Sequence, residues 1–255
     1  METHNKIWRS FFAVALIALA IQQMVCADFR PLFIPLWPAW LPAKLVCMYI
    51  FSLALIVAGI AIILEKSARA VAALLGALFL LLLIVFHLPY QIKTNLHFLG
   101  GWGDAFKELA FSGGAFIVAA SLPAQKSDIK SIENLFPAAR FFFATTMIVF
   151  GIEHFIYVPF VAMLVPNWIP GHIFWVYFAG AALILSGIAI FINIQLRTVA
   201  TLLGIMLFLW LIMLHIPRAI ADPHSGHGNE WTSVFECLAF SGIALLIAAN
   251  AKKRT

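Results

Sequence analysis

Eight apolar segments, each long enough to cross a lipid bilayer, constrain this chain more than any other feature of its sequence. A helix needs roughly 20 apolar residues to cross a hydrocarbon core of about 30 Å. Runs such as LLGALFLLLLIVF lack the alternation of a membrane barrel, so the segments predict spanning helices. Their approximate bounds are Ile7–Phe29, Lys44–Leu64, Ala68–Leu88, Gly103–Leu122, Ala138–Tyr157, Ile173–Asn193, Val199–Ile216 and Thr232–Asn250.

Composition agrees with an integral membrane protein. Hydrophobic residues make up 64% of the 255 residues and charged residues 11%, which excludes an ordinary soluble domain. The net charge of +5 falls in short basic blocks between apolar segments, without the clustered basic patch of a nucleic-acid-binding protein. We therefore expect this protein to lie in a lipid bilayer and to bind no nucleic acid.

The basic residues are shared unequally between the two predicted sides of the membrane. The side opposite the two termini carries five of the 16 Lys and Arg residues: Arg30, Lys44, Lys93, Lys107 and Arg218. The side that holds both termini carries the other 11: Lys6, Arg9, Lys66, Arg69, Lys126, Lys130, Arg140, Arg197, Lys252, Lys253 and Arg254. Since cytoplasmic loops are enriched in Lys and Arg, both termini are predicted to be cytoplasmic.

The sequence also repeats itself. A shift of 128 residues places ALIVAGIAI (54–62) on ALILSGIAI (182–190), and His87-Leu88-Pro89 on His215-Ile216-Pro217. A shift of 129 places LAFSG (109–113) on LAFSG (238–242). We predict an all-α membrane protein in which eight transmembrane helices form two parallel four-helix repeats related by a pseudo-twofold axis. The repeats cover 7–122 and 138–250, joined by a linker at 123–137, within one membrane domain of residues 1–255.

The first segment resembles a signal peptide, because a basic start precedes the apolar run FFAVALIALAI. The repeat makes this segment the partner of the fifth, so we expect it to be retained.

Glu153 and His154 are the strongest candidates for a functional site. Burying a charged side chain within a bilayer costs several kcal/mol on insertion scales, so intramembrane ionisable residues usually have a function. Glu153 lies thirteen residues after Arg140, or about 20 Å along a helix, which places it in the outer half of the membrane. We predict catalytic roles for Glu153 and His154.

Several other polar residues are predicted at a similar depth, where they would line a pocket beneath the Pro- and Trp-containing loops at 37–42 and 165–170. The predicted substrate-binding residues are Gln22, Gln23, His87, Glu108, His215, Arg218, Trp231 and Glu236. Structural roles are the alternatives. Glu153 could pair with Lys107 or Gln23, and His154 could bond a neighbouring helix. The other carboxylates could pair or extend to the surface, and the histidines could cap helices that end at Pro89 and Pro217.

No built-in metal or haem is predicted. The loop RAIADPHSGHGNEW carries Asp222, His224, His227 and Glu230, but no spacing fixes them on a helix, so a solvated turn is favoured. Too few histidines are buried at one depth for haem or copper. The three cysteines, Cys26, Cys47 and Cys237, form no Cys-X-X-Cys motif and are expected to be packing residues.

Taken together, His215-Ile216-Pro217-Arg218, ADPH and NEWTSVFECLAFSG resemble the DoxX-like family of bacterial membrane proteins, and HLPY, WGD and KELAFSGG repeat the outline in the first half. The resemblance implies an inner-membrane location and a connection to quinone or redox chemistry, since the family is associated with a terminal quinol oxidase and is similar to the membrane part of a thiosulfate:quinone oxidoreductase. At a shift of 128, Tyr90 stands opposite Arg218, and Val25-Cys26 opposite Glu153-His154. We therefore expect a site weighted toward the second half.

The predicted function is the binding of a quinone-like or other small amphipathic molecule in an outer-leaflet polar pocket, as part of a redox system. Glu153 and His154 would accept or relay the proton that accompanies quinone reduction. Any cofactor would be a diffusible quinone, and electrons would pass through a partner subunit. A non-enzymatic transporter or binding protein, and a membrane scaffold or assembly factor, remain alternatives, and the sequence leaves open whether the protein is an enzyme.

Overall fold

The computed structural model describes residues 2–124 and 130–251 and contains only helices and connecting turns within those ranges. Lys126 and Lys252 to Arg254, which contribute to the predicted orientation, lie outside the described residues. So does part of the predicted linker, although residues 130–133 form a short helix and 136–138 a 3-10 turn. The predicted all-helical class is confirmed.

Twelve α-helices make up the described part of the chain. They are α1 (Glu2–Cys26), α2 (Lys44–Ile63), α3 (Ala68–Leu82), α4 (Leu88–Thr94), α5 (Gly103–Ala120), α6 (Lys130–Glu133), α7 (Ala139–Ile156), α8 (Val158–Leu164), α9 (His172–Phe191), α10 (Leu196–Trp210), α11 (Ile216–Ala221) and α12 (Asn229–Asn250). Two π-helical turns, Leu83–His87 and Leu211–His215, join α3 to α4 and α10 to α11.

Seven helical stretches within the described residues are long and apolar enough to cross a membrane, which makes this a multi-pass membrane protein. They are His4–Cys26, Lys44–Ile63, Ala68–Thr94, Lys130–Ile156, His172–Phe191, Leu196–Ala221 and Ser225–Asn250. The one predicted segment not among these seven, Gly103–Leu122, forms α5, but Asp104, Lys107 and Glu108 in its first two turns make it less apolar than the others.

The two halves of the chain share their helix boundaries. Helices α2 and α9 begin and end 128 residues apart, and so do α3 and α10. The turns before these helices repeat as well, because each uses left-handed backbone at matching positions. The matched pairs are Ala43 with Gly171, Glu65 with Asn193, and Ser67 with Gln195.

The prediction that Pro89 and Pro217 end their helices is wrong. Each proline lies in the first turn of a further helix, so the chain continues to Thr94 in one case and Ala221 in the other. A π-helical turn precedes each proline and widens the helix by one residue. The missing proline N–H then falls in the first turn of the next helix, where it is tolerated.

The helices pack in the same pairs in both halves. Helix α1 packs on α2 as α7 packs on α9, while α3 packs on α5 as α10 packs on α12. The Ser112 hydroxyl donates to the Gly76 carbonyl at 2.8 Å, and the Ser241 hydroxyl donates to the Gly204 carbonyl at 2.9 Å. Helices α5 and α12 also contact each other and lie in the centre of the bundle.

Glycine contacts give the register of the first helix. A Cβ atom at Gly59 would lie 2.9 Å from the Ala13 carbonyl oxygen, and one at Gly187 would lie 2.8 Å from that of Ala144. Helix α1 therefore matches α7 at a shift of 131 residues. Gln22 and Gln23, rather than Val25 and Cys26 as the shift of 128 predicts, stand in the places of Glu153 and His154. The three-residue difference is taken up in the connection between α1 and α2.

Candidate functional site

A cavity of about 230 Å³ lies in the second half of the bundle, between α7, α8, α9, α10 and α12. Most of its wall is apolar. The polar side chains on the wall are Lys107, His154, His215, Ser233 and Glu236, together with the thiol of Cys237. The structure thus brings His154, His215 and Glu236, three of the predicted site residues, to one cavity.

An ion pair between α5 and α12 forms part of the cavity wall. The Lys107 ammonium lies 3.1 Å from Oε2 of Glu236 and 3.1 Å from Oδ1 of Asp104. The alternative in which Lys107 pairs with Glu153 is not what the structure shows. Oε1 of Glu236 is buried and has no hydrogen-bond partner among the described residues, so it remains an acceptor for a ligand.

His154 presents one ring nitrogen to its own helix and keeps the other free. Its Nδ1 lies 2.7 Å from the Phe150 carbonyl oxygen, which can only accept a hydrogen bond, so Nδ1 donates. No hydrogen-bond partner for Nε2 occurs in the part of the chain that the structure describes, and the ring stands beside Trp210 on the cavity wall. Nε2 is therefore the atom of His154 available to a ligand.

His215 closes the second π-helical turn and also reaches the cavity. Its Nδ1 is buried without a partner among residues 2–124 and 130–251, as is Nδ1 of His87, and no described residue hydrogen-bonds Nε2 of His215. His87, at the same place in the first half, is fully buried, and its Nε2 donates to the Leu32 carbonyl oxygen at 3.0 Å. The first-half histidine is thus committed to the backbone, whereas the second-half histidine faces open space.

Glu153 lies beside the cavity without lining it. Its side chain is half-buried, and Oε1 has no hydrogen-bond partner in the described ranges. Consecutive residues on a helix point about 100° apart, so Glu153 and His154 cannot both face one cavity from one side. Of the two predicted catalytic residues, only His154 touches the open space, and Glu153 stands within electrostatic range of Lys107.

The two glutamines predicted for the site hold neighbouring segments together. Gln23 donates to the Ser52 hydroxyl at 2.8 Å and accepts from the Arg30 backbone N–H at 3.0 Å. Gln22 donates to the Gly228 carbonyl at 2.6 Å and accepts from the Thr232 hydroxyl at 3.0 Å. These bonds fix α1 to α2 and to the loop before α12, away from the cavity.

The remaining predicted residues also lie off the cavity wall. Glu108 is fully buried in α5, and neither carboxylate oxygen has a partner within the described residues. Arg218 forms an ion pair with Glu230, and the Trp231 ring stacks on Phe235. With Glu230 held by Arg218, the loop before α12 loses one of its four possible metal ligands.

No group of three or more His, Cys, Asp or Glu side chains suited to a metal ion occurs within residues 2–124 and 130–251. All three cysteines are free thiols. Cys237 lies on the cavity wall, where its thiol donates to the Leu207 carbonyl oxygen at 3.0 Å. Its role in the structure is that of a small, weakly polar packing residue.

An apolar groove of about 460 Å³ runs beside the cavity between α9 and α10. Both spaces are lined by Val165, Trp175, Met206, Trp210 and Leu214, so these side chains stand between them. Most of the other side chains of the groove are apolar and exposed, such as Leu202, which is 62% exposed. In a bilayer this surface faces lipid, and the groove lies directly beside the cavity.

Three residues that line the cavity were not among the predicted site residues. Trp175 and Trp210 lie between the cavity and the groove, and Val161 occupies a wall position. A comparison of the two repeats would have indicated the extra space in the second half. Val161 follows Pro159 as Phe33 follows Pro31, and Leu207 is the counterpart of Phe79, so the second half carries smaller side chains at matching places.

Fold and site together define a class: a helical multi-pass membrane protein with a cavity that has several polar side chains on its wall, beside a lipid-facing apolar groove. No protein-family model, curated protein or solved structure matches the chain.

Proposed function

We propose that this chain is a DoxX-like protein of the bacterial inner membrane that binds a quinone-like or other small amphipathic molecule in the cavity of its second half. It does so as part of a quinone-linked redox system, with both termini in the cytoplasm and the cavity in the outer leaflet. The electrons come from or pass to a separate redox subunit, and the quinone is diffusible.

The position of an apolar groove directly beside a cavity with polar groups on its wall carries this proposal. An amphipathic ligand needs hydrogen-bonding groups for its head and apolar surface for its tail. His154, His215 and Glu236 supply the first, and the groove between α9 and α10 supplies the second. A water-soluble substrate would have no use for an apolar groove on the lipid-facing surface.

We further propose that α5 is an eighth transmembrane helix and that the bundle consists of two parallel four-helix repeats. The matching helix boundaries, π-helical turns and serine hydrogen bonds support this architecture. Helix α5 tolerates three charged residues because it packs against α3, α7 and α12, which shield it from lipid. An even number of crossings then returns the chain to the side on which it began.

His154 and Glu153 handle protons in this scheme. Two-electron reduction of a quinone takes up two protons, and oxidation of the quinol releases them. His154 Nε2 faces the cavity and can exchange a proton with a ring oxygen. Glu153 is the residue before His154 on the same turn of α7. It receives protons from the imidazole or returns them to it.

Titration of the purified protein with decylubiquinone tests the proposal. Binding is followed by quenching of tryptophan fluorescence, which Trp175 and Trp210 on the wall make sensitive to a ring in the cavity. One equivalent should bind. The reduced form, decylubiquinol, should bind about tenfold more weakly to His154→Ala than to the wild-type protein, because its hydroxyl loses a hydrogen bond to Nε2 worth about 1.4 kcal/mol. Glu153→Gln should bind both forms normally.

His97→Ala is the matched control, since His97 is exposed in a loop of the first half and should not affect binding. Absence of binding to the wild-type protein would remove the proposed function, and equal binding of decylubiquinol by His154→Ala would remove the site.

Transport is the second candidate, because the groove would also let a lipid-soluble molecule reach the cavity without any reaction. Saturable uptake into proteoliposomes with no change in the redox state of the ligand would favour this function.

A further inference from the structure

The cavity of the second half has a filled counterpart in the first half. Its wall residues Val176, Leu183 and Leu207 match Met48, Leu55 and Phe79 at a shift of 128, and Phe240 matches Phe111 at 129. All four first-half counterparts are 0% exposed. The same framework therefore surrounds solid packing in one half and open space in the other.

Phe33 fills the first half. Its ring is completely buried, stacks on Phe79 at a centroid distance of 5.7 Å, and makes edge contacts with Phe51 at 5.2 Å and Phe111 at 6.4 Å. At the matching positions the second half has Val161, Ala179, Leu207 and Phe240. Three of the four aromatic rings are thus replaced by aliphatic side chains, which leaves room for the ring of a ligand.

The backbone next to Phe33 supplies a polar contact to the same place. The Leu32 carbonyl oxygen accepts a hydrogen bond from Nε2 of His87 at 3.0 Å. His215 matches His87 in sequence and in its position at the end of a π-helical turn, and its ring lies on the cavity wall. No segment of the described chain offers His215 the carbonyl oxygen that Leu32 offers His87.

We infer that the Leu32–Phe33 segment occupies in the first half the counterpart of a ligand site, and that the second-half cavity takes a flat ring bearing a carbonyl oxygen. The ligand's oxygen accepts a hydrogen bond from His215 as Leu32 accepts one from His87, and its ring packs between Leu207 and Phe240 as Phe33 packs between Phe79 and Phe111. This inference rests on the proposal that the cavity binds a ligand, and it adds the ligand's ring, its acceptor group and its orientation.

The volume of the cavity agrees with such an occupant. An apolar protein cavity of about 150 Å³ is large enough to bind benzene. At about 230 Å³, this cavity has room for a substituted ring, while a tail on the ring passes between Trp175 and Trp210 into the groove.

Two redox-inert probes test the role of the carbonyl group without the redox chemistry of a quinone. We would titrate the purified protein with 4-decylacetophenone and with decylbenzene, which share ring and tail but differ in the carbonyl. The ketone should bind at least tenfold more tightly, and His215→Leu should abolish that difference while decylbenzene binds as before. Equal affinity for the two probes in the wild-type protein would overturn the inference.

Substitutions at Val161 and at its counterpart Phe33 give a second test that does not depend on His215. Val161→Phe places in the second half the side chain found in the first, and should abolish ketone binding while the thermal unfolding midpoint is kept or raised. Phe33→Val makes the reverse change and should open a second site for the ring without the hydrogen bond, because the Leu32 carbonyl still occupies His87, so the stoichiometry of decylbenzene should rise from one to two. Unchanged stoichiometry in Phe33→Val, together with undiminished binding in Val161→Phe, would contradict the inference.

The outcomes also distinguish this inference from the proposed function. Binding of the ketone with His215 dependence, but no binding of decylubiquinone, would refute the quinone proposal alone. Binding of decylubiquinone that is indifferent to His215 and to Val161→Phe would refute the inference alone.

Discussion

At the scale of single residues, the polar groups of the interior differ in how well they are paired. Lys107 is held between Asp104 and Glu236, and Glu236 is 4% exposed. Glu108, one residue after Lys107, is fully buried and has no hydrogen-bond partner for either oxygen within the described residues. Removing one member of a buried ion pair leaves an uncompensated charge, whereas neutralising an unpaired acid removes a cost of burial.

Lys107→Met should therefore lower the free energy of unfolding by about 3 kcal/mol, because Glu236 is left buried without its cation. Thermal unfolding in mild detergent measures the change. The double variant Lys107→Met with Glu236→Gln should recover most of the loss, and Glu108→Gln, the control on the same helix, should change stability little. A Lys107→Met variant as stable as the wild type would show that the pair contributes nothing.

At the scale of elements, glycines set how closely the helices approach. Gly187 lies against the backbone of α7, as Gly59 lies against that of α1. Small residues allow such close contact between membrane helices, where van der Waals packing replaces the hydrophobic effect as the main attraction. Helix α7, which carries Glu153 and His154, is thus positioned by its contact with α9.

Gly187→Ala should destabilise the protein by about 1–3 kcal/mol, because the added Cβ would meet the Ala144 carbonyl oxygen at 2.8 Å and force α7 away from α9. Gly103→Ala serves as the control, since a Cβ there has no neighbour within 4 Å. Thermal unfolding of the two variants should differ clearly. Similar stability would mean that the α7–α9 contact can relax at little cost.

At the scale of the whole molecule, lipid dictates where helices are needed, and this made most helix bounds predictable to within a few residues, apart from the two helices that continue past Pro89 and Pro217. Rotation about each helix axis is set by packing, so the sequence could place Glu153 and His154 at one depth but not tell which faces the cavity. The partner of Lys107 likewise came from α12, far along the chain. A polar pocket was predicted, but its apolar wall was not, because the open space results from several small replacements, such as Val161 for Phe33, summed over different helices.

Orientation in the membrane is testable by cysteine labelling. In a variant with Cys26, Cys47 and Cys237 replaced by serine, a single cysteine is introduced by Ser225→Cys or by Ser131→Cys, both at exposed positions. A membrane-impermeant maleimide should label the first in intact cells and the second only after permeabilisation, since the eight proposed crossings place them on opposite sides. Labelling of Ser131→Cys in intact cells would reverse the proposed topology.

The groove between α9 and α10 has a consequence for how affinity must be measured. A ligand that arrives sideways is drawn from a two-dimensional reservoir, so its effective concentration is its mole fraction among the lipids and not its molarity in the buffer. Adding empty vesicles should dilute that reservoir and weaken apparent binding in proportion. Dissociation constants obtained at different lipid-to-protein ratios will therefore agree only when expressed per lipid.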